Sequence, residues 1–163
     1  MKEAISMMFN LTLCSLGGGV LSLILFYAAL LKKRRDIFKP FEIFNEFTTI
    51  GLLLLIEHVA FSLSLVKYPL IFVLSSFFFL NCSSKVLRNE NRRFRLMYLS
   101  MGYDKREYSR GYLKRNMKTV FLEPLIILFV FHLLILNIHT LNMFIVGFIL
   151  VVGGVTISLL RMR

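Results

Sequence analysis

Charge-free apolar stretches long enough to cross a bilayer alternate along this chain with short polar connections. A helix needs about 20 mostly apolar residues to span the hydrocarbon core. Leu11–Leu31 provides 21 without a charge. Phe47–Val66 provides 20, apolar except for Glu57 and His58. Pro69–Ser84 is shorter and can extend helically into the residues beyond it. Val120–Ile138 and Leu141–Leu160 are each long enough, separated by a turn at His139 and Thr140. The pattern predicts an all-α integral membrane protein with about five transmembrane helices. It divides into an N-terminal helical pair at residues 1–68 and a three-span core at residues 69–163.

Charge placement orients this bundle. Lys32, Lys33, Arg34, Arg35 and Lys39 follow the first span, eleven Lys/Arg lie between Lys85 and Lys118, and Arg161 and Arg163 end the sequence. Eighteen of the twenty basic residues therefore fall on one side of a five-span arrangement, leaving only Lys2 and Lys67 on the other. The positive-inside rule makes the basic side cytoplasmic. The expected topology is multi-pass in the cell membrane, N-terminus outside and C-terminus cytoplasmic. The net charge of +11 is then explained by anionic lipid as a partner, and a soluble nucleic-acid-binding role is excluded. With 57% hydrophobic residues and a mean hydropathy of +0.73, 163 residues hold more apolar surface than a small soluble core can hide. The first span reads as a retained helix rather than a cleaved signal, since its basic cluster follows it.

The one substantial polar segment, residues 85–118, has its own pattern. Leu87, Phe94, Met97, Tyr98 and Met101 share a helical face over Val86–Met101, with Arg88, Arg92 and Arg95 on another. Gly102 follows, where a helix ends in a left-handed residue. Asp104 and Glu107 then form the N-cap and third position of a capping box, starting a second helix at Lys105 that runs toward the fourth span. Two helices meeting at a capped glycine corner make a stiff cytoplasmic elbow.

The run Asn89–Asn116, NENRRFRLMYLSMGYDKREYSRGYLKRN, resembles the cytoplasmic loop of FtsX-like ABC-transporter permeases, closest to the bacitracin-export branch. The resemblance rests on the order Arg92–Arg95, Leu96–Leu99, Gly102, Asp104, Lys105–Arg106 and Glu107, followed by FLEPLIILFVFH from Phe121 to His132. It covers roughly residues 69–160. It implies that the elbow is a coupling helix docking a separate ATP-binding-cassette ATPase through Leu99, Gly102, Tyr103, Asp104, Arg106 and Glu107. It also implies a second permease subunit or homodimer, and export of, or resistance to, antimicrobial peptides. The family carries a large extracellular domain, and its longer branch about twice as many spans. Here the outer connections are a few residues each.

Within the spans, Glu57, His58, Glu123 and His132 are the polar residues of interest, because ionisable groups at membrane depth usually face a bundle interior. Glu57 is expected to pair with His132 across the bundle or to stay protonated, and Glu123 to pair with Lys118 or Arg115. Pro124 fixes the angle at which the chain leaves the elbow. Cys14, Gly18 and Ser22 repeat at four-residue spacing as a helix-packing surface, with Gly147, Gly153 and Gly154 a second one, open to another subunit. The two cysteines sit about a bilayer apart, so no intrachain disulfide is expected. No nucleophile elbow, Walker motif or metal-spaced Cys/His set is present, so the expectation is no enzyme activity, no metal and no cofactor, with ATP bound by a partner. Two alternatives stand beside the transporter reading: a small structural or regulatory membrane protein without ATP coupling, and a proton-coupled carrier using Glu57 and His132.

Overall fold

A computed structural model describes residues 2–32, 36–59, 64–90, 92–137 and 143–162. The described residues are helical apart from short joints. Helix α1 covers Lys2–Lys32, a 3₁₀ segment Asp36–Ile43, α2 Glu46–Val59, α3 Ser64–Arg88, α4 Arg92–Ser100 and α5 Lys105–Met117. A π-helical turn at Lys118–Leu122 joins α5 without a break to α6, Glu123–Asn137, and α7 is Met143–Met162. Lys33, Arg34, Arg35 and the expected His139–Thr140 turn lie outside the described residues.

Among the described residues, four helices are long and apolar enough to cross a membrane: Met8–Lys32, Val66–Arg88, Lys105–Ile135 and Met143–Leu160. Of the second expected span, Phe47–Val66, α2 covers the described residues to Val59 in a 14-residue helix, and residues 60–63 lie outside those described. Its first turn is set by Asn45, whose side-chain oxygen accepts from the Thr48 N–H at 2.9 Å, an N-cap bond. The third expected span is longer than its apolar run. Helix α3 begins at Ser64, before Pro69, and takes in Lys67, which was expected in an outer connection.

Contacts give the relative directions. Ser15 meets Ser75 and Gly18 abuts Ser76, whereas Phe26 and Leu30 share a cluster with Leu80 and Leu87, so α1 and α3 run parallel. Helix α2 lies antiparallel to both neighbours. Glu46 pairs with Lys85 and Glu57 with Lys67 along α3, while Gly51 packs on Gly147 and His58 on Phe144 of α7. Two cores result. One, around Leu53, Ile71, Phe78, Phe79 and Leu128, joins α1, α2, α3 and α6. The other, around Phe26, Leu30, Phe38, Leu87 and Val120, fastens the C-terminal ends of α1 and α3 to the 3₁₀ segment and the π turn.

The glycines expected to serve another subunit are largely used inside the chain. A Cβ on Gly18 would stand 2.9 Å from the Phe72 carbonyl oxygen and the Ser76 nitrogen. Gly147 and Gly154 lie against Gly51 and Thr48 of α2, while Gly153 faces open space. Cys14 is half-buried, and Ser22 is buried with its hydroxyl donating to the Gly19 carbonyl at 2.8 Å. Small residues at these crossings let backbones approach where lipid supplies no hydrophobic drive.

Candidate functional site

The polar segment folds as two helices and a corner, with one departure from expectation. Val86–Met101 is not one helix: α3 ends at Arg88, Asn89 and Glu90 leave it, and α4 starts at Arg92. The break turns Glu90 inward, where its side chain is 1% exposed. Asn89 and Asn91 flank it, and Asn favours helix interiors poorly. Glu90 accepts from Arg95 Nη1 at 3.3 Å and from the Tyr108 hydroxyl at 2.9 Å. Arg95, itself buried, donates through Nη2 to the Leu30 carbonyl near the end of α1 and lies 5.4 Å from the Tyr108 ring centre. One carboxylate, one guanidinium and one phenol thus tie α4 and α5 to the C-terminal end of α1.

At the corner, Gly102 has φ +89°, in the left-handed region where a Cβ is penalised. Its N–H donates to the Leu99 carbonyl, and Asp104 and Glu107 form a reciprocal capping box. The Asp104 side chain also accepts from the Lys105 N–H at 2.7 Å, and the Asp104 N–H donates to Glu107 at 3.1 Å. Tyr103 stacks on Tyr98 with ring centres 4.3 Å apart. Of the residues assigned to docking, Gly102, Tyr103, Asp104, Arg106 and Glu107 are exposed and Leu99 is half-buried. They lie together at the tip, but the carboxylates of Asp104 and Glu107 are engaged in shaping it. Leu96, Met97 and Met101 stand exposed beside them.

From the corner the chain is one continuous helix, Lys105 to Asn137. The π turn precedes Pro124, whose nitrogen cannot donate to the carbonyl four residues back and whose ring would collide with it. Widening the preceding turn accommodates this, and the Glu123 N–H donates to the Lys118 carbonyl five residues back. Pro124 is buried and Glu123 exposed. The expected Glu123 ion pair with Lys118 or Arg115 does not form.

Deeper in the bundle, Glu57 pairs with Lys67 at 2.5 Å, the two side chains 12% and 9% exposed. The expected Glu57–His132 pair is absent. His132 is buried with Nδ1 2.5 Å from the Leu128 carbonyl, and its Nε2 has no partner. Its ring lies within electrostatic reach of Glu57 and Lys67. His58 is exposed and packs on Phe144.

No protein-family model, curated protein or solved structure matches this chain.

A second polar cluster, also missed in the sequence, lies around residues 42–46. The Asn45 amide donates to the Gly154 carbonyl and to Ser158, Asn81 donates to the Phe44 carbonyl, and Glu42 accepts from Ser84 and Arg88. Residues 36–46 are thereby fastened to α3 and α7. The legible signal was the placement of the acids: Glu90 stands alone among basic residues, and Glu42 and Glu46 follow the basic cluster that ends at Lys39. Each is ion-paired.

Proposed function

We propose that this chain is the membrane subunit of an ATP-driven transport complex, and that it transmits the motion of a separate ATP-binding-cassette ATPase through the α4–α5 corner. The observation that carries the reading is mechanical. A capped corner, tied to α1 by the Glu90–Arg95–Tyr108 contact, forms the foot of an unbroken helix reaching from Lys105 through the bundle to Asn137. A push on the exposed tip passes along that helix instead of being absorbed in a loop. Leu96, Met97, Met101 and Tyr103 offer the ATPase an apolar contact rimmed by Lys105 and Arg106.

In this reading α2 completes a fifth traverse between α3 and α7, which puts the N-terminus outside and the basic corner in the cytoplasm. A second copy or a second permease subunit completes the translocation path, since the α6 and α7 faces carry many exposed apolar residues. The cargo, carried over from the resemblance to FtsX-like permeases, is a membrane-acting or cell-wall-directed peptide.

The test is purification of the tagged chain from native membranes, with identification of any ATP-binding-cassette protein that accompanies it. The wild type retains such an ATPase. Gly102→Pro, which cannot adopt φ +89°, and Asp104→Lys, which removes the cap, lose it while the membrane bundle keeps its thermal stability. Full retention by both variants, or no ATPase with the wild type, sinks the proposal and leaves a structural or regulatory membrane protein.

A further inference from the structure

Between the inner end of α3 and the α4–α5 pair lies a half-open cavity of about 650 Å³, within the size range of small-molecule sites. Its walls combine aromatic rings with a few polar groups. Tyr98, Tyr108 and Tyr112 line it, but the hydroxyls of the last two are engaged, donating to Glu90 and to the Val86 carbonyl. Those rings therefore offer mainly their apolar surface. Asn89, Arg115, Asn116 and Thr119 supply the polar lining, and Arg115 is the one cation there, forming no ion pair among the described residues. No acid lines the cavity.

Gly111 is also part of the wall, in the middle of α5. Glycine is the least helix-favouring residue after proline, so a helical glycine usually marks a close crossing. Among the described residues a Cβ here would meet nothing within 4 Å, so the missing side chain leaves the space open. Farther along the same continuous helix, Leu122, Ile126, Val130 and Leu134 are exposed at four-residue spacing. A singly cationic recess and an apolar strip thus share one helix.

We infer that this cavity holds the headgroup of an anionic phospholipid, its phosphate on Arg115 and its acyl chains along α6. A guanidinium and a phosphate form a strong charge-assisted pair, and the glycerol backbone finds the tyrosine rings. The strip accounts for a lipid in preference to a free phosphate compound, which has no use for it. The site makes lipid binding local, distinct from the diffuse attraction of the +8 segment as a whole.

The test uses the full chain in a neutral detergent, titrated with dioctanoyl phosphatidylglycerol, dioctanoyl phosphatidylcholine and glycerol 3-phosphate, with binding read by calorimetry. The glycerol lipid binds, and the other two bind at least tenfold more weakly. Arg115→Gln weakens it about tenfold, the loss expected for one hydrogen bond to a charged group. Arg110→Gln, which removes the same charge outside the cavity, leaves the affinity within about twofold, as screened surface charges do. Gly111→Leu fills the space and abolishes binding, while the lipid-free Tm stays level or rises. Equal binding of the two lipids, or equal losses for Arg110→Gln and Arg115→Gln, overturns the inference in favour of diffuse attraction. Glycerol 3-phosphate binding as tightly as the lipid overturns it in favour of a small-anion site. Undiminished binding by Gly111→Leu removes the cavity from the account.

Discussion

Replacing Arg95 with Met tests whether the corner is held by its buried charges. Glu90 and Arg95 side chains are 1% and 6% exposed, so neither can turn to water when its partner is lost. Removing one member of such a pair typically costs about 3–5 kcal/mol, mostly because a charge is left buried and uncompensated. Arg95→Met also deprives the Leu30 carbonyl of its donor and Tyr108 of the cation near its ring. Tyr108 still donates to Glu90, which keeps the loss from exceeding that range. The cost falls on the corner, since the membrane cores contain neither residue. Hydrogen exchange followed by mass spectrometry reads it directly. The amides of Met101 and Gly102, bonded to the Met97 and Leu99 carbonyls, should exchange about a hundredfold faster or more in the variant, with α7 unchanged.

The double variant Arg95→Met with Glu90→Gln is the stricter half of the experiment. It leaves no buried charge, and a neutral amide oxygen can still accept from Tyr108. A large part of the protection should return, as a positive coupling energy of roughly 1.5 kcal/mol or more in the double-mutant cycle. If Arg95→Met changes exchange at the corner less than threefold, or if the double variant is as open as the sum of the singles, the corner is held by something other than this pair.

Two further outcomes follow from the packing. Gly18→Val sets a Cβ against two backbone atoms of α3 at 2.9 Å, which no side-chain motion can relieve, and should cost about 1–3 kcal/mol in thermal or denaturant unfolding. Gly153→Val, with nothing within 4 Å, is the matched control; equal losses for the two would remove the α1–α3 contact as the cause. Glu57→Gln should destabilise the bundle by about 3 kcal/mol by stranding Lys67, with recovery when Lys67→Met is added, measured by the same unfolding. A proton carrier built on Glu57 instead predicts intact stability in the single variant and lost transport in both.

What the sequence made legible was local. The apolar runs locate the four helices long enough to cross a membrane, and Gly102, Asp104 and Glu107 mark the corner because a left-handed cap and a capping box involve only near neighbours. What stayed hidden was decided by partners far along the chain. Lys67 looked like a connection residue because a lysine ends an apolar run; α3 extends past it because Glu57, ten residues earlier, neutralises it. Glu90 and Arg95 looked like solvated members of a basic segment; burial follows from Tyr108 and the Leu30 carbonyl, 18 and 65 residues away. The packing glycines were visible as small residues, but their partners, α3 and α2, were not. Pro124 announced a disturbance without showing that the helix would widen and pass straight through it.

Among the described residues α2 is short, and its neighbours show how it is held. Fourteen residues rise about 21 Å, against a hydrocarbon core of about 30 Å. Helix ends at membrane depth normally leave backbone and polar groups unsatisfied, which only burial in protein makes tolerable. Here the first turn is capped by Asn45, and the same side chain donates onward to the Gly154 carbonyl and Ser158 of α7, so the cap is itself anchored. At the two ends, Glu46 and Glu57 are met by Lys85 and Lys67, residues spaced farther apart on α3 than the acids are on α2. From Glu46 to Glu57 the rise is about 17 Å, and from Lys67 to Lys85 about 27 Å. The lysines therefore reach inward toward α2 along their aliphatic stems, each covering part of the difference. Gly51 on Gly147 then brings α2 onto α7 at backbone distance. A short helix held in this way has little need to satisfy lipid along its own length, because α3 and α7 supply its boundary on two sides. The composition of α2 fits that position: Thr48, Thr49 and Gly51 are buried, residues suited to a neighbouring backbone more than to acyl chains.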